Sequence, residues 1–195
     1  MNPAAILHVT SLFGGGVDRH LRDIVAGVGR AHLVWHAGDG VDVIEDPAQG
    51  RFWTLSADAT TARGDVLAGW LAGRGIGLVH LHQLTRAPRE RGRWACDRLG
   101  VPQVATLHDI LFLRPDAFSA ADPLAADGPW LDETSQALRA CAAVFAPSRW
   151  LADLAAARVP GLAVEVVPNG SRAVSDKVSG AVRPEFALHA DGRVH

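Results

Sequence analysis

Two phrases in the chain end apolar runs in imidazoles, Leu78-Val79-His80-Leu81-His82 and Thr106-Leu107-His108-Asp109. A histidine beside an aspartate can hydrogen-bond a sugar hydroxyl or move a proton for a reacting group. For His108 and Asp109 that functional reading stands beside an ordinary one, a plain loop pair. His80 and His82 are two apart on an extended run, point to one face, and are of metal-ligating type. No third ligand is spaced nearby, so no metal is assigned. The ordinary reading makes His80 a hydrogen-bonded core residue and His82 a rim residue. Upstream, Gly14-Gly15-Gly16 precedes a helical period at Val17, Leu21, Ile24, Val25 and Val28. Unshielded N–H groups at a helix start favour an anion such as a phosphate. The same glycines can also do no more than turn the chain.

Other chemistries lack their residues. The dinucleotide fingerprint is half met, because Arg19 stands where its third small residue belongs and the second strand ends in His36-Ala37-Gly38-Asp39 without a clear ribose-binding acid. Ser148 lacks the flanking glycines of a nucleophile elbow, and Cys96 and Cys141 have neither CxxC nor metal-ligand spacing. Both cysteines read as reduced packing residues. Arg86, Arg89, Arg91, Arg93 and Arg98 make one helix basic. This is read first as a solvated face partly neutralised by Glu90 and Asp97, with phosphates, lipid headgroups or a partner as the alternative. Of the six tryptophans, Trp130 and Trp150 fall near predicted rim loops.

The elements that position these groups alternate. Short apolar runs at Ala5 to Thr10, Ala31 to His36, Leu78 to His82, Gln103 to Leu107, Ala143 to Ala146 and Val164 to Val167 read as strands. Helical periods follow the glycine loop, occupy Val66 to Leu71, Ala87 to Leu99 and Leu131 to Ala140, and resume over Trp150 to Ala157 after an N-cap at Ser148. Short extended pieces lie at Val41 to Ile44 and Arg51 to Leu55, and Thr60 or Thr61 is a candidate cap for the helix that follows. This rhythm predicts an α/β, Rossmann-like doubly wound, mostly parallel sheet with helices on both faces. Ligands of such sheets lie at the carboxyl ends of the strands. Ser11 to Gly16, His82 to Arg86, His108 to Arg114, Pro147 to Arg149 and Asn169 to Ser171 are therefore expected at one rim. His108 is expected there as an exposed residue whose loss costs at most about 0.5 kcal/mol of stability.

The phrases ILHVTSLFGGGVDRHLRDI, LVHLHQL, VATLHDI, VFAPSRWLADL and VEVVPNG resemble, in order and spacing, the N-terminal domains of group-one, retaining glycosyltransferases of GT-B fold. The resemblance covers about residues 5 to 172. It implies two Rossmann-like domains facing across a cleft, the acceptor held mainly by the first and a nucleotide-sugar donor mainly by the second. On that likeness residues 1–172 form the first domain and residues 173–195 a linker toward a second, and the chain alone is expected to be inactive. Gly14, Gly15 and Gly16 resemble the loop beside donor phosphates and acceptor. His108 resembles the rim histidine that contacts the transferred sugar and is the candidate catalytic residue. His82, Asp109, Ser148, Arg149, Asn169 and Gly170 are candidate substrate or donor contacts. Asp18 stands where many relatives have Glu, which shortens the reach of that carboxylate. No Asp-x-Asp metal motif is present, and no cofactor is expected.

Bulk properties narrow the partners. With 48% hydrophobic residues the 195-residue chain can bury a sizeable core. A formal charge of −2, with charges spread along the chain, argues against a nucleic-acid surface. The first basic residue is Arg19 and no apolar run approaches a membrane span. The expectation is a cytoplasmic protein, with peripheral membrane contact left open; the resemblance implies a sugar, lipid-linked or small-molecule acceptor. The rival class is a Rossmann-like binding or interaction module that transfers nothing.

Overall fold

The run Ala5–Thr10 forms β1, the buried centre of an eight-stranded sheet. The structure is a computed structural model and describes residues 4–11, 15–38, 40–56, 60 and 64–169. From β1 the chain enters α1 (Gly15–Gly27), then β2 (His32–His36), β3 (Val41–Asp46) and β4 (Arg51–Ser56). It continues through α2 (Gly64–Ala72), β5 (Ile76–Leu81), α3 (Arg86–Leu99), β6 (Gln103–Thr106), α4 (Gly128–Arg139), β7 (Ala143–Ala146), α5 (Arg149–Arg158) and β8 (Glu165–Val166). The sheet order is β4-β3-β2-β1-β5-β6-β7-β8. Pairing is parallel from β2 across to β8, which is the predicted Rossmann-like α/β architecture. The extended pieces at Val41 and Arg51 are an antiparallel extension of the same sheet, β3 on β2 and β4 on β3. Tight connections at Gly40 and Gly50 allow what a parallel crossover would need a dozen or more residues to achieve. Thr60 is itself helical and buried, four residues before α2 begins at Gly64, and Thr61, the other candidate cap, lies outside the described residues.

Strand order reverses between β1 and β5, so the crevice outside their carboxyl ends is the topological switch point. The two faces of these central strands differ in chemistry. Leu7, Val9, Leu33, Trp35, Val79, Leu81 and Ala105 alternate onto one face and join the apolar core. Helix α3 packs on this face, with Trp94 edge-on to Trp35 at 5.7 Å. Gly92 permits that closeness, because a Cβ there would lie 2.4 Å from Leu81 Cδ2. The opposite face carries His8, Thr10, His32, His36, His80 and Thr106 at the alternate positions.

Helix α1 is bound to the histidine face at several points. Arg22 makes a two-pronged ion pair with Glu45 of β3, Nη2 donating to Oε2 at 2.8 Å, and His36 Nε2 stands 3.3 Å from the same oxygen. Burial opposes ionisation of Glu45, but its bonds with His36 and Arg22 prevail and hold its pKa below the ordinary value. On the other side, Arg91 donates to the buried Asp42 at 2.6 Å and so ties α3 to β3.

The basic helix is neutralised along its length. Arg86 pairs with Glu90, Arg93 with Asp97 and Arg98 with Asp65 on the exposed side. Arg89 is buried, donates to Glu133 at 2.7 Å, and stacks over Trp130 at 4.4 Å. Cys96 and Cys141 are free thiols flanking Gln103, whose Nε2 donates to Cys141 Sγ at 3.2 Å. Among the described residues no helix is long and apolar enough to cross a membrane.

Candidate active site

The long segment after β6 begins with Leu107 and His108. Leu107 is buried and continues the strand's hydrogen bonding, its N–H donating to Phe145 O at 2.8 Å. Beyond it, Phe112 and Leu113 sink into the core, while Trp130 Nε1 donates to Leu111 O and Thr134 Oγ1 to Phe112 O. The loop is therefore held by α4, and His108 and Asp109 emerge from a fixed strand end. Asp109 is half-buried and accepts from Leu111 N–H at 2.8 Å. Burial raises its pKa, and the backbone bond offsets part of that.

His108 is half-buried, which corrects the expectation of an exposed rim residue. Its Nε2 lies 3.2 Å from His82 Nδ1, and its ring meets His20 of α1 edge-on at 5.0 Å. His82 is corrected as well. It is fully buried, with Nδ1 on His108 and Nε2 2.9 Å from His8 Nδ1. Both ring nitrogens are occupied, so neither is left to hydrogen-bond a ligand. His80 is hydrogen-bonded as expected, with Nε2 2.8 Å from Thr106 Oγ1, but it is half-buried and not a core residue. Burial pushes these imidazoles down, His108 to about 4, His80 to about 3 and His8 to about 2, with His82 well below its ordinary value. All four are neutral at pH 7.

A third imidazole does join His80 and His82, and it comes from β1. Nitrogens of His8, His80 and His82 lie within 4.8 Å of one another. By type that is a ligand set for zinc. By geometry it is a hydrogen-bonded set, because the 2.9 Å between His8 Nδ1 and His82 Nε2 is shorter than the ~3.3 Å separating ligands on a tetrahedral zinc with bonds of about 2.0 Å. Among the described residues no carboxylate joins the three to balance a cation's charge.

The remaining candidates divide. Gly15 (φ 78°) and Gly16 are exposed at the start of α1, with no described atom within 4 Å of where a Cβ would stand. A ligand can thus approach that backbone closely. Gly14 and Gly170 lie outside the described residues. Ser148 is the N-cap of α5, its hydroxyl accepting from Leu151 N–H at 3.3 Å, and Arg149 opens that helix, exposed. Asn169 is exposed beyond β8. These three stand on the same rim as His108 by topology, one and two strands further along the sheet.

Sequence reasoning passed over four residues. His8 and His32 lie beneath the rim on β1 and β2, and His20 reaches the His82–His108 pair from α1. Gln83 Oε1 accepts from Ser11 N–H at 2.8 Å and from the Ser11 hydroxyl, fastening the end of β1 beside the glycine segment. The period-two placement of His8 and Thr10 within one run was the available signal.

None of the curated proteins compared with this chain matches it. The family model described as Glycosyltransferase Family 4 matches residues 14–171, which takes in the glycine segment, both histidine phrases and every described candidate residue. Together with the parallel sheet and its switch-point crevice, this match shows that the chain belongs to glycosyltransferase family 4.

Proposed function

We propose that this domain is the acceptor-side half of a glycosyltransferase that moves a sugar from a nucleotide-sugar donor to an acceptor with retention of configuration. The observation that carries the reading is the placement of His108. It is a neutral imidazole on a fixed strand end, in edge contact with His20 of α1, the helix that opens with the exposed backbone of Gly15 and Gly16. In this reading the N-terminal end of α1 lies beside the donor phosphates, where its dipole and unpaired N–H groups oppose the charge that builds on the departing diphosphate. His108 contacts the transferred sugar, and departure and attack share one face of it. Asp109, Ser148, Arg149 and Asn169 line the approach of donor or acceptor. A second domain supplies most of the donor site, so the chain alone binds nucleotide sugars weakly and transfers nothing.

The test is made in the full-length protein with its own donor and acceptor. The anomeric configuration of the product, read by NMR, should match that of the donor. His108→Ala should lower kcat roughly a hundredfold, the usual contribution of one positioned catalytic group. An inverted product refutes retention. Unchanged turnover refutes the role of His108. Micromolar binding of a nucleotide sugar to the isolated chain by calorimetry refutes the division of labour.

A further inference from the structure

Four imidazoles form an unbroken line through the sheet interior. His32 Nε2 lies 3.1 Å from Val28 O, His32 Nδ1 lies 2.9 Å from His8 Nε2, His8 Nδ1 lies 2.9 Å from His82 Nε2, and His82 Nδ1 lies 3.2 Å from His108 Nε2. A neutral imidazole has one N–H donor and one lone-pair acceptor. The carbonyl of Val28 can only accept, so His32 must carry its proton on Nε2. That leaves His32 Nδ1 a lone pair, and His8 must donate to it from Nε2. The same step repeats at His82 and at His108. Reversing the order anywhere sets two lone pairs or two N–H groups against each other among buried groups, which the interior penalises.

We propose that His32, His8 and His82 are positioning residues that lock the proton of His108 on Nε2 and so present its Nδ1 as a hydrogen-bond acceptor. Val28, just past the end of α1, is the fixed pole of the line, and His108 is its outlet at the strand ends. A protonated ring would donate from both nitrogens and break the order, and burial keeps His8, His82 and His108 neutral. The line thus decides what His108 recognises. An acceptor nitrogen suits a ligand hydroxyl, which has a hydrogen to give, and does not suit a phosphate oxygen, which has none at neutral pH. That last step rests on the sugar-transfer reading above, whereas the proton assignment does not.

The test is spectroscopic and uses the 195-residue chain labelled with nitrogen-15 at pH 7.5. Long-range proton–nitrogen correlation should show His32, His8, His82 and His108 all with a protonated Nε2 and a pyridine-type Nδ1. A proton on His108 Nδ1, or equal populations of its two tautomers, overturns the proposal without any variant being made. His32→Phe removes the pole, and the reversed order then becomes allowed, so His108 should gain a measurable Nδ1–H population although it does not touch the substituted side chain. His32→Gln keeps an acceptor for His8 Nε2–H and should restore the original pattern. An unchanged His108 tautomer in His32→Phe overturns the relay. One equivalent of zinc should leave all four rings unaltered, and joint perturbation of His8, His80 and His82 would replace the relay with a metal site. In the full-length enzyme, His32→Phe should lower kcat more than it raises KM. A correct tautomer pattern in an enzyme that does not transfer sugar refutes the sugar reading and leaves the relay; a wrong pattern in an active enzyme does the reverse.

Discussion

Replacing His108 with alanine in the isolated chain separates a packed histidine from a surface one. His82 is fully buried, and its Nδ1 has the His108 ring as its partner at 3.2 Å. Truncation strands that buried acceptor, and an unsatisfied buried polar atom costs about 1 to 3 kcal/mol. Because His108 itself is half-buried, water can partly replace the lost ring, so the lower half of that range, about 1 to 2 kcal/mol, is expected. For a chain of this size each kcal/mol moves Tm by about 2 to 4 °C. Urea unfolding at pH 7.5, followed by far-UV circular dichroism, measures the loss directly, with an unchanged m-value as the sign of an unchanged transition. His108→Gln provides the control. A glutamine amide can still donate to His82 Nδ1, so this variant should recover most of the stability while losing the imidazole. An alanine variant within about 0.5 kcal/mol of the parent, the range of ordinary surface substitutions, would refute the reasoning. So would a glutamine variant as unstable as the alanine one.

Acid should unfold the chain early. His8, His80, His82 and His108 have folded pKa values below the ordinary 6.5, so the unfolded chain binds more protons than the folded one below that pH. Their contribution is complete above pH 6.5 and is lost as pH falls toward the folded values, at up to about 1.4 kcal/mol per pH unit for each ring. Urea midpoints should be flat from pH 7 to 8 and fall steeply from 6.5 to 4.5; a constant midpoint down to pH 5 would contradict this. Arg91→Leu leaves the Asp42 carboxylate buried without its cation and should cost about 3 to 5 kcal/mol, read by the same unfolding assay. Gly92→Ala drives a methyl into Leu81 and should cost about 1 to 3 kcal/mol. In contrast, Arg93→Ala breaks only an exposed pair with Asp97 and should change stability by less than about 0.5 kcal/mol.

The alternation of short apolar runs with helical periods is local information, and it suffices for the α/β class and the parallel core. The hydrophobic period switches between two and 3.6 within each unit, and right-handed crossovers leave few ways to join such units. The glycine segment and the strand-end pair His108-Asp109 were legible for the same reason, since a parallel sheet sends all its strand ends to one rim. The antiparallel β3 and β4 were less so, because short extended pieces carry no mark of their pairing direction. What only the tertiary structure decided is the histidine line. Within one strand, spacing puts His80 and His82 on one face, but nothing local says that β1 lies beside β5, or that His8 is level with His80 across it. His8 and His82 are 74 residues apart, and His82 and His108 are 26 apart. Register between parallel strands is set by the packing of the crossover helices against the whole sheet. The partners of a buried imidazole, and with them its tautomer and its pKa, therefore come into being only when the sheet closes.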